Sequence, residues 1–334
     1  MNSTTERAAT GSGEEGKQLR ILQVNLNRSP TAHWELLNSG LANLWDIILI
    51  QEPSQNYYNH SATAPGFRQI YPSDKARSKN GGRFHSGIWV NQQISTNSWR
   101  EYKIHDDPNF TAIQILSESG PLTIINIYFD VKRTEGEAEG VLRKFMLEHR
   151  DKIYGEGKHV LRQGDFNRHH SMWDNDEDDR LFTRAALDKA QILINLLGDW
   201  EMEMILPKSI RTLQHFRMKD WSRPDNAFIT GNSTDMVIRC EAAPTKKIVL
   251  TDHMPIEIVL NVSKTQATSV TTRNFRKTNW EDFNQELEQQ MKNINTGEIL
   301  TKDEFTERTD HLIQAIQHAI NKAVPTCIYT IHTK

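Results

Sequence analysis

The sequence predicts an α/β protein built as a four-layered α/β sandwich: two packed mixed β-sheets flanked by helices, plus a C-terminal helical extension. Three observations carry that expectation. The chain opens strand–helix–strand, the order of a parallel pair in a covered sheet. Its middle holds "GIWVN", "TAIQIL" and "LTIINIYF", apolar runs divided by polar turns, more meander than crossover. Beyond an amphipathic stretch at 181–199 come further short strands. Such a mixture of βαβ and antiparallel segments suits two packed mixed sheets better than one doubly wound sheet.

Residues 1–18 are small and polar, so disorder is expected there. Order begins at "LRILQVNLN", a strand with Leu19, Ile21 and Val24 buried. Ser29 is placed to cap a helix and Pro30 fits its first position. Leu37, Leu41 and Leu44 then recur at helical spacing. "DIILIQEP" is the second strand, and residues 54–85 read as loop around a basic tip, "RSKNGGRF". A helix is expected over about 135–154, with Leu142, Phe145 and Met146 inward, then the strand leading to Gly164 and the helix at 181–199. "TLQHF", "NAFIT", "MVIRC" and "DHMPIEIVLNV" supply the last strands of a domain spanning 19–263. Residues 264–334 read as a polar linker and two helices. One carries a Trp280, Phe283, Leu287, Met291 stripe; the other has a Thr301/Glu304 capping box and Phe305, Leu312, Ile316 and Ile320 on one face.

Composition narrows the function. A formal charge of −3 excludes a protein that mainly coats nucleic acid; contact there must rest on a local patch and metal ions. Two cysteines, Cys240 and Cys327, build neither a zinc site nor a disulfide framework, which favours an intracellular setting. "IILI" is too short to cross a bilayer, so no membrane is expected as a partner.

Chemistry concentrates at strand ends. Asn25 and Asn27 end the first strand, Glu52 the second; Asp165 and Asn167 follow Gly164; Asp252 and His253 precede the last apolar run. Any one has a plain reading as a turn or solvated residue. Four apolar strands each ending in carboxylate, amide or imidazole are harder to explain that way. Oxygen ligands without cysteine favour Mg2+ or Mn2+. Glu52 would hold the ion with Asn25 in support. His253 would polarise a phosphate or move a proton, Asp165 orient a water, and Asn167 donate to a phosphoryl oxygen.

"QVNLN", "IQEP", "INIY", "GDFN", "RPDNAFIT" and "TDHMPI", in that order, resemble the exonuclease–endonuclease–phosphatase superfamily. Within it, "LQVNLNRS" and "GDFNRHHSMW" resemble the apurinic-type endonuclease domain of non-LTR (LINE-like) retrotransposons. The resemblance covers roughly 19–262 and implies further roles. Tyr128 stands where the family has a phosphate-contacting tyrosine; Thr212, and at the first strand Asn27, would meet the substrate phosphate; Asp252 would lie near the metal. A carboxylate should orient His253. Asp225, 27 positions before Asp252, matches the family's spacing better than Asp235 at 17. Thr251 replaces the family's usual serine, and Pro224 its commoner aliphatic residue.

The function so implied is a divalent-metal-dependent DNA endonuclease leaving a 3′-hydroxyl, the target-nicking part of such an element, in the nucleus. A reverse transcriptase and element RNA would be partners outside this chain, which has no polymerase aspartate motif. Two alternatives stay open: a phosphatase or phosphodiesterase of the same superfamily acting on a lipid or small molecule, and a catalytically silent binding module. For His169 and His170 both a loop role and a metal or DNA role stand. Trp173 reads as packing, and Tyr57 and Tyr58 lie in a loop within reach of a substrate.

Overall fold

A computed structural model describes residues 18–78, 81–104, 107–263, 269–292 and 297–330. The residues expected to be disordered thus lie outside the described part, except Gln18, which already belongs to a strand. The chain divides into two units, Met1–Gln266 and Ala267–Lys334.

In the first unit the chain runs β1 (Gln18–Asn25), α1 (Pro30–Asn38), α2 (Leu41–Leu44), β2 (Ile47–Gln51), β3 (Phe67–Ile70), α3 (Asp74–Ser78), β4 (Ser86–Asn91), β5 (Trp99–Tyr102), β6 (Phe110–Ile115) and β7 (Leu122–Tyr128). It continues with α4 (Glu137–Glu148), α5 (Arg150–Ile153), β8 (His159–Asp165), α6 (Arg184–Gly198), β9 (Met202–Met204), β10 (Leu213–Gln214), β11 (Trp221–Ser222), β12 (Asp225–Thr230), β13 (Val237–Ala242) and β14 (Ile256–Asn261). One six-stranded sheet has the order β13-β14-β1-β2-β4-β3, the other β5-β6-β7-β8-β12-β9. Each contains one parallel pair, β1/β2 and β7/β8, among antiparallel neighbours. The predicted pair of mixed sheets flanked by helices is therefore the architecture found.

Alternation along the strands sorts side chains into three apolar layers. Leu19, Ile21, Ile47 and Leu49 meet Ile124, Leu161 and Ile229 between the sheets. Leu22, Val24, Ile48 and Ile50 face α1 and α2. Ile125, Ile127 and Val160 face α4 and α6 through Leu142, Phe145 and Leu193. The start of α1 is as its sequence signals: the Ser29 hydroxyl accepts from the Ala32 amide at 3.2 Å, with Pro30 at the first helical position.

Several expectations change. The stretch at 54–85 contains β3 and α3, because Phe67 and Ile70 are core residues in a run too short to show periodicity. The helix expected at 135–154 breaks at His149 into α4 and α5. The one expected at 181–199 starts at Arg184, where Thr183 caps it by accepting from the Ala186 amide at 3.2 Å. β10 is only two residues long.

In the second unit, β15 (Ser269–Arg273) pairs antiparallel with β16 (Thr326–Thr330), and α7 (Trp280–Met291) packs on α8 (Lys302–Ala323). Residues 264–268 of the expected linker lie outside the described residues, and the next five form a strand instead. The capping box is present: the Thr301 hydroxyl accepts from the Glu304 amide and the Glu304 carboxylate from the Thr301 amide, both at 3.2 Å. Small residues, Ala315 and Ala319, are the buried positions of α8, while Leu312 and Ile316 stay exposed. Among the described residues no helix is long and apolar enough to cross a membrane.

Candidate active site

The inner face of each central strand is apolar at one end and polar at the other. β1 reads Leu19, Ile21, Gln23, Asn25; β2 reads Ile47, Leu49, Gln51; β8 reads Leu161, Gln163, Asp165; β12 reads in reverse, Asp225, Ala227, Ile229. All the polar ends lie at the same edge of the sandwich. Register sets this: Asn25 pairs with Gln51, Tyr128 with Asp165, and Asp165 with Asp225. Gly164 permits the close approach of β7 and β8. Its φ is +146°, and a Cβ there would lie 2.0 Å from the Ile127 carbonyl oxygen.

His253 enters from the loop before β14. Its Nδ1 is 2.7 Å from Asp225 Oδ2, and its Nε2 is 4.0 Å from both Asp165 Oδ2 and Asp252 Oδ1. Asp235, the other carboxylate considered, is exposed beyond the far end of β12. The Asn25 amide donates to Asp165 Oδ2 at 3.0 Å, and its Oδ1 accepts from the Asn27 backbone at 2.8 Å. Asn27 is exposed, and its amide donates to Asp252 at 3.3 Å. Glu52 Oε1 accepts from Tyr128 Oη at 2.6 Å and from Arg28 Nη2 at 2.5 Å. Asn167 donates from its amide to the Phe129 carbonyl at 2.9 Å and from its backbone to Asp165 Oδ1 at 3.1 Å. Thr212 is placed differently from the expectation. Its hydroxyl is fully buried and accepts from the Asp225 backbone at 3.2 Å, so it supports Asp225 and has no open face toward a substrate.

The backbone is bent to achieve this. Asn27, Arg28, Glu52 and Asn167 all have φ between +46° and +55°, a region that non-glycine residues seldom enter. Such left-handed residues persist where surrounding bonds hold them, and they cluster at functional sites. Here the Arg28 amide donates to the Glu52 carbonyl at 2.9 Å, locking two of them together.

Charge and burial oppose each other at the centre. Burial alone would push the His253 imidazole down; Asp225, by charge and hydrogen bond, then Asp165 and Asp252, outweigh it and raise it well above the ordinary range. Asp165 is raised first by burial and then by the neighbouring Asp225 charge, with His253 pulling the other way. Tyr128 is held firmly protonated, by burial and then by Glu52.

The donor chemistry fits a hard divalent cation. Asp165, Asp225 and His253 have ligand atoms all within 4.8 Å of one another. The Nδ1 contact spends that trio as an acid–imidazole pair with a second acid beside it. Glu52, Asn25 and Asp252 are the remaining oxygen donors around it, with no thiolate among them. One Glu52 oxygen has no hydrogen-bond donor among the described residues.

Two residues escaped the sequence reading. Arg28, half-exposed and seated on Glu52, lay inside the quoted "LNRS" without a role. Gln23, in an otherwise apolar strand, donates to Gln51 at 2.7 Å and to Asp225 Oδ1 at 3.0 Å. An amide interrupting the apolar run "RILQVN" is the signal by which it could have been found. Other features are spent locally. His169 lies 3.6 Å from Asp174, and the His170 ring accepts from the Met172 amide at 3.1 Å. Trp173 is buried packing. In the basic tip Lys79 and Asn80 lie outside the described residues, and Arg77 pairs with Asp74. Tyr57 and Tyr58 are exposed.

No family model matches the chain, and no curated protein does. Solved structures do. The endonuclease domain of TRAS1, a telomere-specific non-LTR retrotransposon, is 19% identical with a TM-score of 0.56, covering 72% of this chain and 98% of that one. The AP endonuclease LMAP from Leishmania major is 11% identical with a TM-score of 0.57, covering 77% and 92%. The APE2 catalytic domain of Xenopus laevis is 15% identical with a TM-score of 0.54, covering 75% and 94%. These neighbours belong to the exonuclease–endonuclease–phosphatase superfamily, and the likeness to them is one of fold.

Proposed function

We propose that this chain is a divalent-metal-dependent DNA endonuclease, cutting one strand by water attack on a phosphodiester and leaving a 3′-hydroxyl. One observation carries the reading: His253, held by Asp225 at 2.7 Å, faces Asp165 and Asp252 at an edge where Glu52 and Tyr128 also converge. The likeness of fold to nucleases supports it.

Asp225 fixes the orientation and tautomer of His253 and favours its cation. A protonated imidazole at the open edge stabilises a phosphate oxyanion, or gives its proton to the departing oxygen. Asp165 is the base. Its raised affinity for protons and its position beside Nε2 suit it to orient an attacking water and take the proton. Asn167 keeps one amide hydrogen beyond its bond to Phe129, and this donates to a phosphoryl oxygen. Tyr128 and Arg28 hold Glu52; Asn27, exposed at the rim, meets the substrate phosphate; Thr212 positions Asp225 from behind. Glu52, Asn25 and Asp252 would hold Mg2+ or Mn2+, which when bound neutralises phosphate charge.

The finer reading rests on "LQVNLNRS" and "GDFNRHHSMW" and on the TRAS1 likeness. It is the target-nicking part of a non-LTR element, working in the nucleus with a reverse transcriptase and element RNA outside this chain. The test is nicking of supercoiled plasmid in Mg2+, with polymerase extension to detect the 3′-hydroxyl. Glu52→Ala and His253→Ala should each lower the rate about 100-fold or more. Nicking that survives both changes refutes the assigned roles.

A further inference from the structure

A cavity opens beside this edge. It lies between α1 and the loop at 54–63, with a volume of about 610 Å³. That is within the size of small-ligand sites, about 300–1,000 Å³. Its two walls have one root. Arg28, two residues before Pro30, donates its amide to the carbonyl of Glu52, two residues before Ser54. Two residues of chain reach at most about 7 Å, roughly two steps along a DNA strand at 3.4 Å each.

The lining says what would enter. It offers Trp34, His33, His60, Asn56, Ser54 and Thr63, and among the described residues no Lys, Arg, Asp or Glu lines it. A phosphate would find no countercharge there. A flat, uncharged ring with hydrogen-bonding edges would find a stacking face and both donors and acceptors. Trp34 is 59% exposed, an indole presented to solvent beside the buried face that α1 makes with Ala32, His33 and Leu36. Beside it, His33 is only 2% exposed, its ring 5.7 Å from that of Trp89 in the core.

We propose that this cavity binds one unstacked nucleobase of the cut strand, close to the scissile phosphate, stacked on Trp34 with its edge toward Asn56. The inference rests on the nuclease reading and adds a determinant of where the chain cuts. Base–aromatic stacking tolerates any base, while the polar edge confers preference among them.

The test uses the full chain. Nick sites of wild type, Trp34→Phe and Trp34→Ala are mapped on plasmid, and KM and kcat are measured on an oligonucleotide carrying the preferred site. Trp34→Ala should raise KM about tenfold with kcat within about threefold, and flatten base preference at one fixed position near the nick; Trp34→Phe should restore both. In a His253→Ala background, which prevents cutting, a base-less analogue is walked over two positions on each side of the nick. At one position, removing the base and removing Trp34 should each weaken binding about tenfold, and together no more than either alone. Unchanged KM and preference, or additive losses at every position, overturn the proposal while leaving the nuclease reading intact. A wild-type chain that neither nicks nor binds DNA removes the nuclease reading, and this proposal with it.

Discussion

The two ends of the layer between the sheets have the same backbone and opposite contents. At one end Leu19, Ile21, Ile47, Ile124 and Ile229 interlock in one apolar cluster. At the other, on the same strands and the same inner face, Gln23, Gln51, Asn126, Asp165 and Asp225 are buried. Strand pairing continues unbroken through both. One end gains stability from area removed from water, about 25 cal/mol per Å². The other must give each polar group a partner or lose about 1–3 kcal/mol for each one left bare. It meets most of this demand with a chain of bonds across the sandwich, from His253 to Asp225, Gln23, Gln51 and Asn126, whose amide then reaches the Ile50 and Gly87 carbonyls, while the Gln163 amide and Gln23 Oε1 stay without a partner among the described residues. The difference teaches that the apolar end is the scaffold, and that the polar end gives up some of its packing to hold chemistry in place.

Paired substitutions break the comparison most sharply. Asp225→Asn, nearly isosteric, should lower plasmid nicking about 10²–10⁴-fold while leaving the thermal midpoint within a few degrees. Ile124→Ala, on the same sheet, should do the reverse: a loss of about 2–5 kcal/mol by urea denaturation, with activity per folded molecule retained. If both lose stability alike and activity alike, the two ends are not functionally distinct. A smaller effect is expected at the junction. Gln23→Leu strips Asp225 Oδ1 of its amide, so nicking should fall about 10–100-fold with about 1–3 kcal/mol of stability. An unchanged rate would make the amide chain purely structural.

The outer layers give two further measurements. Burial pushes the His33 imidazole down to about 4, against a smaller opposing pull from the Ser54 backbone. The folded state therefore favours neutral His33. Its contribution is present above pH 6.5, the ordinary value, and is lost as the unfolded chain takes up the proton between pH 6.5 and about 4. The loss should be about 3 kcal/mol at most, and in His33→Leu that part of the stability–pH curve should be flat. The smallest change is a gain. Arg162, on the helix side of β8, is fully buried with no partner for any guanidinium nitrogen, and burial lowers it to about 9. Arg162→Met should raise stability by about 1 kcal/mol or more; a loss would mean that the guanidinium is satisfied in solution.

Much of this was legible in the residues because it is local. "IILIQEP" reads as a strand ending in a carboxylate, Ser29–Pro30 as a helix start, and Thr301–Glu304 as a capping box, since each signal spans only a few positions. β3 and β15 were not, being short runs fixed by partners far along the chain. The candidate site divides the same way. Its residue types stood out at strand ends, but Arg28 on Glu52 and Gln23 under Asp225 are contacts across 24 and 202 positions.

The sequence by itself therefore determined the alternation that makes the strands, the caps that start the helices, and the polar residues that end four of the runs. Tertiary structure alone decided that those ends lie at one edge and that Thr212 is buried behind the pair, and it puts Asp225, the carboxylate that spacing favoured, on His253. Periodicity and capping act within one or two turns of chain, whereas register and cross-sheet hydrogen bonds join residues that only the closed sandwich brings together.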